Sequence, residues 1–281
     1  MNAVTLLLSL YYWLPRLVSG VALSLVFSSC LSVAESERTT PTVSVNPSQE
    51  VYLAPRPAQP RRKATYNSVH TSKPYIALTF DDGPHPVHTP KLLDTLGRER
   101  VKATFFVLGR LVEQYPEVAR RIVREGHEIA NHTWSHPNLA KMSDAAVERE
   151  LTRTSAAIFK ATGVRPTSMR PPFGAFTQRQ RSWVKSHLDL YCIMWSVDPL
   201  DWKIRNAESV RSKLVGGAHN GAILLAHDIH PTTVQAMPGT IRQLKDRGFQ
   251  FKTVAELIEL EEAPPPPPQV ASTQAAPADA R

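Results

Sequence analysis

Tyr75-Ile76-Ala77-Leu78-Thr79-Phe80-Asp81-Asp82-Gly83-Pro84 is an apolar run that stops on two acids and a turn pair. A short run that is apolar throughout, with no polar alternation, reads as a strand buried on both faces, the habit of parallel sheets. Residues 103–108, 128–131, 167–170, 190–196, 222–226 and 249–252 repeat the pattern. Between them lie amphipathic helical stretches at 90–98, 112–125, 144–162, 177–187, 207–215 and 234–247. Ser143 suits an N-cap, and Gly126, Gly163 and Gly248 stand where helices should stop. Strands alternating with helices predict a single α/β domain, a distorted, incomplete (β/α) barrel of about seven parallel strands.

This unit spans residues 74–262, and the rest of the chain has a different composition. Residues 1–34 are mostly apolar with Arg16 as the one charge, and Ser32-Val33-Ala34 is a small-x-small pattern. That reads as a signal peptide or a retained N-terminal membrane anchor. Residues 35–73 form a Pro-rich linker without periodicity, and 263–281 a Pro/Ala-rich tail holding five successive prolines; both read as disordered. The predicted location is therefore outside the cytoplasm, in the periplasm or cell envelope.

Two cysteines among 281 residues exclude a disulfide scaffold and an all-thiolate metal site. Cys192 lies within a strand and reads as a small buried hydrophobe. The formal charge is +8, yet residues 74–262 hold 25 Lys+Arg against 21 Asp+Glu, so that unit carries only +4. Basic charge spread this thinly argues against a nucleic-acid partner.

In a parallel α/β fold the C-terminal ends of the strands share one face, where active sites are built. Just past the predicted strands stand Asp81 and Asp82, His132 and His136, Arg170, Asp198 with Asp201 and Trp202, and His227 with Asp228. Alone, Asp-Asp-Gly is a solvated turn, His132 and His136 are a surface pair, and His227 is a core histidine. Together they converge on one rim. Adjacent carboxylates at a buried strand end repel, which a cation relieves. One acid can bind a metal while the other accepts a proton. Asp82 with His132 and His136 makes a two-histidine, one-carboxylate set, a donor set that also serves iron oxygenases. Arg170 at a strand end would hold a carboxylate ionised, and either Asp198 or Asp201 could orient His227 as a general acid.

Five short motifs, in order, resemble those of the polysaccharide deacetylase family, the carbohydrate esterases with the NodB homology domain. They are Thr79-Phe80-Asp81-Asp82-Gly83, His132-Thr133-Trp134-Ser135-His136, Arg170-Pro171-Pro172-Phe173-Gly174, Asp198-Pro199-Leu200-Asp201-Trp202 and Leu224-Leu225-Ala226-His227. The resemblance implies one divalent metal ion on Asp82, His132 and His136, zinc ahead of cobalt or nickel. It further implies Asp81 as general base held by Arg170, and His227 as general acid tuned by Asp201. Substrate would meet the backbone N–H of Phe173, with Trp202 and Leu225 around the acetyl methyl and Asp198 beside them on the rim. The implied activity is removal of N-acetyl groups from an amino-sugar polymer, such as peptidoglycan, a chitin-like polymer or an exported polysaccharide. An acetyl-xylan esterase or cyclic-amide hydrolase on the same fold is the nearest alternative. A carbohydrate-binding module without turnover is the alternative of another class.

Overall fold

The structure, a computed structural model, describes residues 63–263. Its strands are β1 (Thr65–Tyr66), β2 (Tyr75–Asp81), β3 (Thr104–Val107), β4 (Glu128–Asn131), β5 (Ser168–Met169), β6 (Tyr191–Ile193), β7 (Ile223–His227) and β8 (Gln250–Lys252). All of them pair in parallel, in the order β1-β6-β5-β4-β3-β2-β7, with β8 on the first half of β2. Helix α1 (His88–Glu99) follows β2; α2 (Gly109–Gln114) and α3 (Pro116–Arg124) follow β3. Then α4 (Asp144–Thr162), α5 (Gln178–Leu188), α6 (Ala207–Gly217), α7 (Pro231–Asp246) and α8 (Val254–Glu259) each follow the next strand in turn. Past β6 the chain bends across to β7, where Ser196 donates to the Ile223 carbonyl at 3.0 Å and Leu225 to that of Val197 at 2.9 Å. The sheet thereby curls into the distorted (β/α) barrel expected from the strand and helix pattern.

Strand parity decides what reaches the interior, because successive side chains point to opposite faces. On β2, Ile76, Leu78 and Phe80 pack outward among Leu92, Leu93 and Leu96 of α1. Ala77, Thr79 and Asp81 face inward, where Ala77 joins Phe106, Ala130, Ile193 and Ile223. On β7, Leu224 and Ala226 go outward with the first set, leaving Ile223, Leu225 and His227 inside. The register sets Asp81 directly opposite His227. Helix α8 closes the other end with Val254, Leu257 and Ile258. There Glu128 accepts from Thr104 Oγ1 at 2.8 Å and from the Ala255 amide at 2.9 Å.

Three differences from the sequence reading have clear causes. The single helix expected over 112–125 breaks at Tyr115 (φ −129°, ψ 58°), because the residue before Pro116 is driven out of the helical region. Helix α8 was not expected; Thr253 and Glu256 start it with a reciprocal capping box. The folded unit also begins before residue 74. Residues 63–73, assigned to the linker, contain β1, which adds an eighth strand on the edge of β6. Tyr66 is 1% exposed there, and its hydroxyl donates to Glu261 at 3.2 Å. Val69 donates to the Gly221 carbonyl at 2.9 Å, fastening the segment to the start of β7.

The expected signal peptide or anchor at 1–34, most of the linker, and the tail from residue 264 onward lie outside the described residues. Among the described residues no helix is long and apolar enough to cross a membrane.

Tyr66→Ala should cost roughly 3–5 kcal/mol, the usual range for truncating a buried large aromatic. Urea unfolding of the full chain measures this; an unchanged midpoint would show that the segment before Pro74 contributes nothing to the fold.

Candidate active site

The turn after β2 places its two acids differently. Asp81 ends the inward row, 3% exposed, while Asp82 leaves the strand with φ 74°. The left-handed conformation, costly for a residue with a Cβ, swings Asp82 off the strand direction. Neighbours in sequence thus serve separate positions, as the adjacency of two like charges suggested.

Asp81 is bound to Arg170, a guanidinium with no exposure to solvent. Arg170 Nη1 donates to Asp81 Oδ1 and to Thr79 Oγ1, each at 2.7 Å. Its Nε and Nη2 donate to the carbonyls of Ile193 at 3.1 Å and Met194 at 2.9 Å. Burial pulls the Arg170 pKa down, and the Asp81 carboxylate opposes that pull.

His132 extends the inward row of β4 from Ala130. Its Nδ1 lies 2.8 Å from the Arg170 carbonyl. A carbonyl only accepts, so Nδ1 carries a hydrogen, and Nε2 is the nitrogen turned to the cleft. Asp82 Oδ1 lies 3.4 Å from that nitrogen and 3.3 Å from His136 Nε2. Ligand atoms of Asp82, His132 and His136 all lie within 4.8 Å of one another. Burial lowers the His136 pKa and His132 adds to the effect. Burial raises the Asp82 pKa, but the imidazole of His132, then His227 and His136, outweigh it and hold the carboxyl far below its usual range.

Asp82 Oδ1 is buried and has no hydrogen-bond partner. A buried carboxylate oxygen without a donor, facing two imidazole nitrogens, is costly unless a cation sits among them. Two imidazole nitrogens and one carboxylate oxygen suit zinc and its first-row neighbours. The residues therefore fit a divalent metal ion, and the sequence-predicted ligand set is brought together in full.

Beside Asp81, on the neighbouring strand β7, His227 Nδ1 lies 2.7 Å from Asp201 Oδ1. Asp201, sealed from solvent, also accepts from the His227 amide at 2.8 Å and from Thr233 Oγ1 at 2.7 Å. Burial lowers the His227 pKa, but Asp201, helped by Asp81 and Asp82, overrides it and raises the group to about 9. Of the two acids considered for His227, Asp201 is the one in contact. Asp198 instead accepts from the Leu200 amide at 2.7 Å.

Asp81, Asp82, His132, His136 and His227 line one cleft of about 470 Å³ together with Pro171, Phe173, Trp202, Leu225 and Asp198, all expected on this rim, and Trp195, which was not. Phe173 and Trp202 are 70% and 50% exposed on its rim. Trp195 sat inside a predicted strand with no role assigned to it; it lies two residues past β6, on the side of Ile193, and reaches the cleft. Asp228 faces away from the cleft. It is buried beneath Gly83, bonded to Thr89, with its pKa pushed up to about 7 chiefly by burial.

Fold and rim define the class: a (β/α)-barrel protein with a two-histidine, one-carboxylate centre flanked by an Asp–Arg pair and a His–Asp pair. Residues 68–188 match the family model described as Polysaccharide deacetylase. The chain is 48% identical over 182 residues to the peptidoglycan-N-acetylglucosamine deacetylase PgdA of Listeria monocytogenes, covering 65% of this chain and 38% of that protein. It is 39% identical over 197 residues to a chitooligosaccharide deacetylase of Bradyrhizobium sp., covering 65% and 90% respectively. The crystal structure of the Bc1960 peptidoglycan N-acetylglucosamine deacetylase superposes with a TM-score of 0.68 at 36% identity, over 71% of this chain and 95% of that one. The chain belongs to the polysaccharide deacetylase family. It spans about two fifths of the length of longer curated relatives such as the Listeria protein.

Arg170→Met leaves Asp81 buried without its partner, and should cost about 3–5 kcal/mol in urea unfolding. Adding Asp81→Asn should recover part of that loss. Strictly additive effects of the two substitutions would show that the pair is not coupled.

Proposed function

We propose that this chain is a metal-dependent polysaccharide N-deacetylase that hydrolyses N-acetyl groups of an amino-sugar polymer in the cell envelope. The observation that carries this reading is the register that sets Asp81 and His227 beside each other on neighbouring strands, in the cleft that also holds the Asp82–His132–His136 cluster, each with its own buried partner. A carboxylate held by a guanidinium and an imidazole held by a carboxylate supply a base and an acid together. The relatives named for peptidoglycan and chitooligosaccharide deacetylation support the substrate class. They also support a location in the periplasm or envelope, with residues 1–34 as the export signal or anchor.

Asp82, His132 and His136 would hold the ion, zinc ahead of cobalt or nickel. When bound, it supplies Lewis-acid polarisation of the attacking water and of the acetyl carbonyl. Asp81 accepts the proton that water releases, with Arg170 keeping the carboxylate in place. The backbone N–H of Phe173 donates to the oxyanion that develops on the carbonyl oxygen. As the carbon–nitrogen bond breaks, His227 gives its proton to the departing amine, yielding acetate and a free amino sugar. An amide requires that proton more than an ester does, because an unprotonated amine leaves poorly. Trp202, Leu225 and Trp195 form the apolar wall against which the acetyl methyl and sugar face pack, with Asp198 beside them.

Acetate release from peptidoglycan, chitin oligomers and acetylated xylan, with metal-stripped and metal-restored protein, tests the reading. Metal-dependent release from the amino-sugar polymers is expected. Release from xylan alone points to an esterase, and binding without release to a carbohydrate-binding module. In the same assay Asp81→Asn should lose at least about 10²-fold in kcat, the usual contribution of a general base, while metal content stays unchanged.

The pH profile tests the acid. His227 must carry its proton, and its raised pKa means that proton is lost as pH climbs through about 9. Asp201→Asn withdraws the main stabilising charge, so the alkaline limb of kcat should move to lower pH by about 1–3 units. A limb that stays in place removes Asp201 from this role.

A further inference from the structure

We propose that Glu150 is a positioning residue for the metal centre: its carboxylate holds the loop carrying His132 and His136 in the conformation that aims both imidazoles at one point. The proposal rests on the assignment of Asp82, His132 and His136 as metal ligands.

The loop has no regular structure to hold it. Two histidines four residues apart would share a face on a helix, but residues 132–136 are not helical, and Thr133 (φ 71°) and His136 (φ 64°) both take the left-handed conformation. Such a backbone turns its amide N–H groups inward together, forming a concavity that favours an anion. Glu150, on the second turn of α4, fills it. Glu150 Oε2 accepts from the amides of Trp134 at 2.8 Å and Ser135 at 2.9 Å, and Oε1 from Ser135 Oγ at 2.9 Å. The amides on either side are also taken: Thr133 donates to Asn131 Oδ1 at 2.8 Å and His136 to Thr133 Oγ1 at 3.1 Å.

The carbonyl side of the loop is held by α2. Gly109 donates to the Thr133 carbonyl at 3.0 Å, and Arg110 to that of Trp134 at 3.4 Å. Trp134 is wedged between Gly109, where an added Cβ would come within 2.5 Å of the indole, and the Arg153 guanidinium 3.5 Å from its ring. Glu150 is the one acidic side chain among these contacts, and it grips the two amides midway between the ligands. Losing it frees the segment that sets the spacing of the two imidazoles. The metal-free barrel keeps its strands and core.

The test measures Zn²⁺ affinity by chelator competition on the full chain, alongside thermal unfolding of the metal-free protein. Glu150→Ala should weaken Zn²⁺ binding about 10–100-fold, the usual cost of losing a group that orients a ligand. Glu150→Gln keeps an oxygen for the two amides and offers an amide N–H to Ser135 Oγ, so it should restore affinity to within about threefold of wild type. Ser135→Ala, which removes one contact at an exposed site, should weaken binding severalfold and covers the case in which Glu150→Ala does not fold. If Glu150→Ala and Ser135→Ala lower metal-free stability but bind Zn²⁺ as wild type does, the role is structural only and the proposal fails. If wild type itself binds no Zn²⁺ and is indistinguishable from His132→Ala, it is the metal-ligand assignment that fails.

Discussion

One guanidinium, enclosed where no water reaches it, joins most of the barrel's interior. Arg170 comes from the end of β5, yet its nitrogens bond to Thr79 and Asp81 on β2 and to carbonyls at and just past the end of β6. Its own carbonyl fixes the hydrogen of His132 beyond β4. A buried charge is tolerated only when its donors are satisfied and a counter-charge is near. Both conditions are met here by groups on different strands, so each strand must reach its register before the charge is accommodated. The same contact that makes burial of Arg170 acceptable orients the carboxylate and the imidazole on which the proposed chemistry depends.

Two neighbouring strand ends solve opposite electrostatic problems with the same device, a buried ion pair. On β2 the carboxylate of Asp81 faces the cleft with the guanidinium behind it; on β7 the imidazole of His227 faces it with Asp201 behind. Register places the two forward-facing groups beside each other, so their spacing is a property of the β2–β7 ladder and not of loops. Phe173 and Trp202, both well exposed, sit where the chain has already left the strands. The residues proposed for chemistry are thus held by the sheet, and those proposed for substrate contact by the rim above it, the usual division in such barrels.

Much of this was legible in the sequence because the strand ends are marked by abrupt changes of residue type. Apolar runs that stop on Asp81, His132, Arg170 and His227 told which residues share a rim. They did not tell which of Asp81 and Asp82 faces inward, since a strand apolar on both sides hides its parity. That needed the pairing of Ala77 and Thr79 with interior neighbours. β1 escaped notice because two residues cannot show a period, and its surroundings are rich in proline and charge. Trp195 was hidden by a strand that ends two residues before it. Glu150 lies on a helix, fifteen positions from the nearest amide it binds, and no local pattern links such partners.

His227 and Asp228 show how far the environment, not the residue type, sets charge in this fold. They are adjacent, and strand geometry sends one into the cleft and the other behind it. Facing Asp201, the imidazole is driven toward its charged form; beneath Gly83, with one oxygen lacking any partner, the carboxyl is driven toward its neutral form. Asp82 Oδ1, close to both, is left buried without a donor and faces two imidazole nitrogens. A divalent cation held there would satisfy that oxygen and, in the proposed reaction, would polarise an acetyl carbonyl beside Asp81 and His227.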